Sequence, residues 1–180
     1  KDLNFFVLLL NRARIPAGEK LELFDKMYAE LPETPQLQDL KARFYSRYGK
    51  NQEALTIWRK LCESSPDEAM ILRFTRKLEM LGRRDEALDV LGQQWRAGNL
   101  GPRGFNLYLS LLVFANRFDD AAALFQDSSK VLQNPEIQFK QALFDLAGGN
   151  FKESMPLLLQ LIDPPEKDQI GLAVAHRARM

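Results

Sequence analysis

The sequence contains little of the chemistry that catalytic and metal sites require. Its 180 residues include one cysteine, Cys62, and one histidine, His176. A single cysteine cannot form a disulfide within the chain, and one thiol and one imidazole are too few ligands for a zinc site. Nothing in the pattern places His176 near a serine or near Cys62, so no nucleophile has a candidate base. The glycines at residues 98–104 lack the lysine and hydroxyl of a phosphate-binding loop. We therefore predict no enzyme activity, no metal and no cofactor.

A strong charge bias and a long apolar run are also missing. The formal net charge is +1, whereas domains that bind nucleic acid are usually markedly basic. The apolar run at residues 5–10 is too short to span a bilayer. No small-residue cleavage site follows it, so we interpret it as a buried helix rather than as a signal peptide. These observations predict no nucleic-acid partner and no membrane insertion by this segment.

The composition is otherwise typical of a folded protein, with 46% hydrophobic and 27% charged residues. Both ends run directly into helical patterns, so we expect the chain to be a piece of a longer protein. On that interpretation, some of the apolar side chains near Phe5 and Leu9 are covered by a preceding repeat. The lone cysteine fits either the cytoplasm or a periplasm in which the protein does not rely on disulfides.

A ten-residue pattern recurs four times along the chain. In each copy a turn residue is followed by an acidic residue, a small residue and a bulky apolar residue. The copies occupy residues 49–58, 82–91, 116–125 and 149–158. The small residues are Ala54, Ala87, Ala121 and Ser154, at spacings of 33, 34 and 33 residues. A weaker copy at Lys20 and Phe24 precedes them, so the chain is a repeat array.

Each part of the pattern has a physical reason. The turn residues are of the two types that tolerate a left-handed backbone, and they are Gly49, Gly82, Asn116 and Gly149. A small residue one turn before a bulky one lets two helices approach closely. Three further dipeptides place a capping side chain before a proline at the first helical position: Thr34-Pro35, Ser65-Pro66 and Asn134-Pro135. Residues 65–68 have the spacing of a capping box, with Ser65 as the cap. With Gly101-Pro102 as a weaker start, helix pairs are predicted to begin near residues 35, 66, 102 and 135.

These motifs resemble the tetratricopeptide repeat (TPR) family, whose pattern includes an alanine, an aromatic residue four positions later and then a proline. Ala54, Trp58 and Pro66 match it, as do Ala121 and Phe125. The resemblance implies an all-α, right-handed α-solenoid with a concave groove lined by the first helix of each pair. We predict five TPR-like hairpins at residues 1–34, 35–67, 68–101, 102–134 and 135–167, and a terminal helix at 168–180, forming a single solenoid segment.

A related family offers an alternative. Residues 105–125 resemble pentatricopeptide RNA-binding proteins, which contact one base per repeat through a few polar side chains. The positions equivalent to Asn106 in the other first helices are Phe5, Asp39, Leu72 and Phe139. This set does not provide a consistent base-recognition code, so RNA binding is the less favoured hypothesis.

The groove-facing residues are predicted from helical periodicity. If Leu40, Phe44 and Tyr45 are buried, the opposite side of the same helix presents Gln36, Asp39, Arg43 and Arg47. In the following first helices, Arg73, Arg76, Arg103 and Asn106 are the corresponding polar residues. We predict that the partner-binding residues are Gln36, Arg43, Arg47, Arg73, Arg76, Arg103 and Asn106.

The charge distribution suggests the kind of partner. Residues 39–84 contain 11 Lys or Arg and 6 Asp or Glu, an excess of +5, whereas residues 105–165 contain 4 against 7. A basic groove in the first half would attract an acidic surface or peptide. We therefore predict a non-catalytic scaffold that docks an acidic protein partner, with a purely structural spacer as the alternative.

The broader setting is predicted from resemblance alone. Among longer TPR proteins, the sequence is similar to the periplasmic TPR regions of bacterial Pel-type exopolysaccharide secretion proteins of the outer membrane. This resemblance implies an exopolysaccharide export complex in the bacterial periplasm, with the cytoplasm as the alternative location. The oligomeric state and the identity of the partner stay open at this point.

Overall fold

A computed structural model describes residues 3–126 and 134–162, and every secondary-structure element in these ranges is helical. The chain divides into two compact units, Lys1–Gln94 and Trp95–Met180. The predicted all-α architecture of TPR-like helical hairpins is confirmed. The terminal helix predicted at 168–180 lies outside the described residues.

Unit 1 contains three helical hairpins. Its helices are α1 (Leu3–Arg12), α2 (Ala17–Tyr28), α3 (Pro35–Arg47), α4 (Asn51–Ser64), α5 (Glu68–Met80) and α6 (Arg84–Arg96), whose last turn crosses into unit 2. Helix α3 packs on α4, and α4 packs on α5. Aromatic side chains fill the interior: the Phe24 and Phe44 rings stack with centroids 4.2 Å apart, and Trp58 lies 6.2 Å from Phe74.

Unit 2 continues the same arrangement with four described helices. These are α7 (Pro102–Phe114), α8 (Phe118–Gln126), α9 (Pro135–Ala147) and α10 (Phe151–Ile162). Helix α7 packs on α8, and α9 packs on α10. Phe105 lies between Trp95 and Phe125, at centroid distances of 5.6 and 5.4 Å. Trp95 therefore fills space against the fourth hairpin.

The hairpin turns lie where the repeat predicts them. The turn residues have left-handed backbones, with φ of +89° at Gly49, +74° at Gly82, +58° at Asn116 and +85° at Gly149. Each small residue of the pattern is fully buried: Ala54, Ala87, Ala121 and Ser154. In the first hairpin the equivalent position is Lys20, which is also buried and whose ammonium lies 5.3 Å from the Tyr48 ring centroid. Its alkyl stem can pack in the interior because the charge finds an aromatic face.

Two of the three predicted caps are confirmed, and one prediction is wrong. The Thr34 hydroxyl accepts a hydrogen bond from the Leu37 N–H at 3.3 Å, and Asn134 Oδ1 accepts one from the Glu136 N–H at 2.9 Å. Ser65, however, ends α4, and the cap of α5 is Asp67, whose carboxylate accepts from the Met70 N–H at 3.0 Å. A carboxylate at a helix N-terminus also interacts favourably with the helix dipole, which favours Asp67 over a serine two residues earlier.

Within residues 3–126 and 134–162, no helix combines the length and the apolar character needed to cross a bilayer.

Candidate protein-binding surfaces

Unit 1 contains a cleft between the start of α3, the end of α4 and the start of α5. Its volume is about 540 Å³, and its polar lining includes Gln36, Asp39, Arg43, Asp67 and Arg73. Pro35, Leu61, Pro66 and Met70 contribute the apolar part. We refer to this as the Asp39 cleft, because Asp39 connects the charged groups that line it.

Asp39 was predicted to face solvent, and this prediction is wrong: the residue is only 8% exposed. Its Oδ1 accepts a hydrogen bond from Trp58 Nε1 at 2.9 Å. Its Oδ2 accepts one from Arg73 Nη2 at 2.6 Å and lies 3.2 Å from Arg43 Nε. A buried carboxylate is costly unless it is paired and hydrogen-bonded, and here the hydrogen bonds from Trp58 and Arg73 and the ion pair with Arg43 satisfy it.

The arginines predicted to form a basic strip in unit 1 therefore fall into two classes. Arg43 and Arg73 are tied to Asp39, so part of their charge is neutralised within the protein. Arg47 and Arg76 are exposed, and neither forms an ion pair with another described residue. Gln36 is exposed at the edge of the Asp39 cleft. The predicted residues Arg103 and Asn106 belong to unit 2, where Arg103 is exposed and Asn106 is half-buried.

One donor beside the Asp39 cleft has no acceptor among the described residues. Arg73 Nε is buried and forms no hydrogen bond, although Nη2 of the same guanidinium is bound to Asp39. Buried N–H groups almost always have a hydrogen-bond partner, because an unsatisfied donor loses its hydration without compensation. Because Nε itself is buried, an acceptor in the cleft would bind the exposed part of the Arg73 guanidinium instead.

Unit 2 contains a second concave surface, between α7 and α9. Its volume is about 460 Å³, and it is lined by Leu109, Ser110, Val113, Phe114, Lys140, Leu143 and Phe144. We refer to it as the apolar groove. Among these lining residues Lys140 is the one charged group, and its Nζ donates to Asn106 Oδ1 at 2.7 Å and lies 3.5 Å from Glu136 Oε1.

The two surfaces overlap at two equivalent positions of the repeat, Arg43 with Ser110 and Arg73 with Lys140. The turn residue Asn116 follows Gly49 by 67 residues, and Gly149 follows Gly82 by the same distance. With this offset, Asn106 is equivalent to Asp39, and Lys140 is equivalent to Arg73. The hydrogen bond between Lys140 and Asn106 therefore repeats the one between Arg73 and Asp39.

The flanking residues, in contrast, differ in chemistry. The same offset relates Arg43 to Ser110, Arg47 to Phe114, Arg76 to Leu143 and Lys77 to Phe144. One face of the repeat is thus cationic in unit 1 and apolar in unit 2. The sequence-based prediction missed the apolar groove because α7 is apolar around most of its circumference, which hides its exposed face. The signal that could have revealed it is the loss of positive charge at these equivalent positions.

The remaining candidate side chains belong to the interior. Trp58 is buried, and its indole nitrogen is bound to Asp39. Cys62 is also buried, and this burial raises the pKa of its thiol to about 11, so the nucleophilic thiolate is disfavoured at neutral pH. No cluster of three or more potential metal ligands occurs within residues 3–126 and 134–162. His176 lies outside the described residues.

Comparison with solved structures relates this architecture to a known protein. The crystal structure of a thermophilic TPR protein from Thermus thermophilus superposes with a TM-score of 0.52, covering 98% of this chain and 96% of that chain at 20% sequence identity. The fold is of the TPR type. No protein-family model matches the sequence, and no curated protein matches it.

Proposed function

We propose that this chain is a non-catalytic TPR scaffold that docks an acidic segment of a partner protein at the Asp39 cleft. The observation that carries the proposal is a cleft of about 540 Å³ lined by Arg43 and Arg73, whose side chains stay 47% and 37% exposed. A carboxylate is the acceptor that matches a guanidinium best, because charge-assisted hydrogen bonds are shorter and stronger than neutral ones.

The charges that line the cleft are balanced, so attraction of an acidic segment depends on groups around it. Asp39 and Asp67 offset Arg43 and Arg73, and Asp67 is also engaged as the cap of α5. Arg47 and Arg76, on the same two first helices, add positive charge that no described acidic side chain neutralises. The net excess of +5 over residues 39–84 makes the electrostatic potential around the cleft more positive. Exposed arginines of this kind mainly steer association, whereas the Arg73 guanidinium, which lines the cleft, would contact the bound segment directly.

A defined peptide tests the proposal. A short fluorescein-labelled peptide rich in glutamate should bind the 180-residue chain saturably in fluorescence anisotropy, and its glutamine counterpart should not. Binding should weaken as ionic strength rises, because exposed charge pairs are screened by salt. The Arg47→Glu/Arg76→Glu double variant should lose most of the affinity.

The matched control changes the charge equally elsewhere in unit 1. Lys26 in α2 and Lys60 in α4 are exposed residues of second helices, so Lys26→Glu/Lys60→Glu alters the net charge by the same amount. We expect this control to retain most of the affinity of the parent. Equal losses of affinity in the two double variants would show that binding depends on net charge alone, which would contradict a specific site. Absence of saturable binding would favour the alternative, a structural spacer.

The setting in an exopolysaccharide export complex, and with it a periplasmic location, stays a prediction from resemblance. It supplies a concrete partner class for the acidic segment, namely other proteins of such a complex. Co-purification of those proteins with the parent chain and their loss from the Arg47→Glu/Arg76→Glu variant would support it. Retention by both chains would contradict docking at this site.

A further inference from the structure

The apolar groove exposes large hydrophobic side chains along two neighbouring helices. Val113 is 39% exposed, Phe114 68% and Leu143 44%. Isolated exposed apolar residues are common on proteins, but a concave and contiguous set of them marks an interaction surface. The groove therefore has the shape and the polarity of a docking site that is separate from the Asp39 cleft.

On each wall of the groove, lining residues lie one helical turn apart. Leu109 and Val113 are four residues apart on α7, and Lys140 and Phe144 are four residues apart on α9. Residues at this spacing lie on the same face of a helix, about 5–6 Å apart. A ligand helix with bulky apolar residues at positions i and i+4 has the matching periodicity.

The single charged lining residue determines the polar part of the ligand. Lys140 Nζ carries three protons and is positioned by Asn106 at 2.7 Å and by Glu136 at 3.5 Å. These two contacts leave it one further donor beside the groove. A carboxylate on the ligand complements this ammonium, whereas a basic group would be repelled.

We propose that the apolar groove binds an amphipathic helix of a partner protein, one that presents bulky apolar side chains one turn apart next to an acidic residue that pairs with Lys140. This site goes beyond the acidic docking at the Asp39 cleft. It lies in the other unit, takes most of its contact area from apolar side chains and does not depend on the arginines of unit 1.

A designed probe tests the proposal on the full 180-residue chain. The probe is a fluorescein-labelled helical peptide on an alanine background, with leucines at i and i+4 and one glutamate beside them. Two reference peptides replace the glutamate by glutamine or both leucines by serine. Binding is followed by fluorescence anisotropy, and circular dichroism melting verifies that each variant is folded.

Two variants remove the two kinds of contact, and each has a matched control. Leu143→Ser and Lys140→Gln should each weaken probe binding about tenfold, as expected for central contacts of a small interface. The controls are Leu159→Ser and Lys152→Gln, which alter exposed residues of α10 outside the groove. They should bind like the parent, and so should Arg47→Glu/Arg76→Glu, which separates this site from the Asp39 cleft.

A double-mutant cycle isolates the charge pair. If Lys140 contacts the glutamate of the probe, replacing that glutamate by glutamine should have little further effect in the Lys140→Gln variant. Equal binding of the glutamate and glutamine probes to the parent chain would overturn the proposal, as would a loss at Leu159→Ser as large as at Leu143→Ser. Self-association of the chain that Leu143→Ser abolishes would overturn it as well, because the occupant would then be a second copy.

Discussion

At the scale of single residues, Asp39 determines how the cleft in unit 1 is built. Its carboxylate joins the indole of Trp58 to the guanidinium groups of Arg43 and Arg73, so one buried anion positions side chains from three helices. Arginine is suited to this arrangement because its planar fork can bind one carboxylate while it presents other N–H groups elsewhere. Asp39 therefore acts on a ligand indirectly, by positioning the two arginines.

The first prediction concerns the stability that Asp39 contributes. Asp39→Ala should lower the free energy of unfolding by about 1–3 kcal/mol, because it leaves the buried Trp58 N–H and the two arginines without their acceptor. Asp39→Asn should cost less, since its amide oxygen can still accept from Trp58. Urea unfolding measures both changes, with Asp89→Asn at an exposed position of α6 as the control. An Asp39→Ala chain as stable as the parent would show that the cluster contributes nothing to folding.

The second prediction concerns Cys62, whose thiol pKa is raised by burial from 9.0 to about 11. Folding favours the protonated thiol, so its contribution to stability is fully present below about pH 9 and is lost as the pH rises towards about 11. The stability difference between the parent and Cys62→Ala should therefore shift against the parent over this range. Because other titrating groups cancel in that difference, a constant difference would contradict the burial of the thiol.

At the scale of helices and turns, the hairpins depend on a left-handed residue between paired helices. Gly82 has φ of +74°, and a Cβ built there would meet no atom within 4 Å. Replacing it thus has a conformational cost without a steric clash against the rest of the protein. Asn116, with φ of +58°, serves the same purpose in unit 2 as a non-glycine residue.

The third prediction follows from this geometry. Gly82→Ala should lower the free energy of unfolding by about 1–2 kcal/mol, the usual cost of a left-handed conformation for an L-residue with a Cβ. Asn116→Gly should be close to neutral or slightly stabilising, because glycine adopts this conformation freely. Thermal melts of the two variants provide the measurement. A destabilised Asn116→Gly chain would indicate that the asparagine side chain, and not its backbone, stabilises the turn.

The fourth prediction concerns the small residue of each hairpin, and α8 offers a matched pair. Ala121 is fully buried, whereas Ala123 is exposed in the same helix. Ala121→Leu should cost about 1–3 kcal/mol through overpacking. Ala123→Leu should change stability little, because leucine and alanine have similar helix propensities. Melting temperatures that fall equally would show that the close helix contact is not at Ala121.

These elements were predictable from the sequence because their causes are local. Glycine or asparagine at a turn, and alanine opposite a neighbouring helix, are determined by backbone geometry within one repeat. The environment of Asp39 was not predictable in the same way, because its burial depends on Arg73, 34 residues away, and on Trp58 in another helix. Helical periodicity places a residue on a face, but it does not show which charge on that face finds a partner.

At the scale of the whole molecule, one repeat architecture carries two kinds of surface. Equivalent positions hold Arg43, Arg47 and Arg76 in unit 1, and Ser110, Phe114 and Leu143 in unit 2. The helices and turns are the same in kind, so the difference lies in side chains that the fold does not constrain. Such exposed positions of a repeat protein can change without loss of the stacked core, which is how one scaffold serves different partners.

The most direct test of the central claim is an NMR titration of the arginine side chains with the glutamate-rich peptide. We predict that the Nε–Hε resonance of Arg73 shifts and saturates with the same dissociation constant as the anisotropy signal, because a peptide carboxylate binds the exposed part of the same guanidinium. Arg59, which is paired with Glu86 at 3.1 Å, is the internal control and should not shift. An unchanged Arg73 resonance at saturating peptide would contradict docking at the Asp39 cleft.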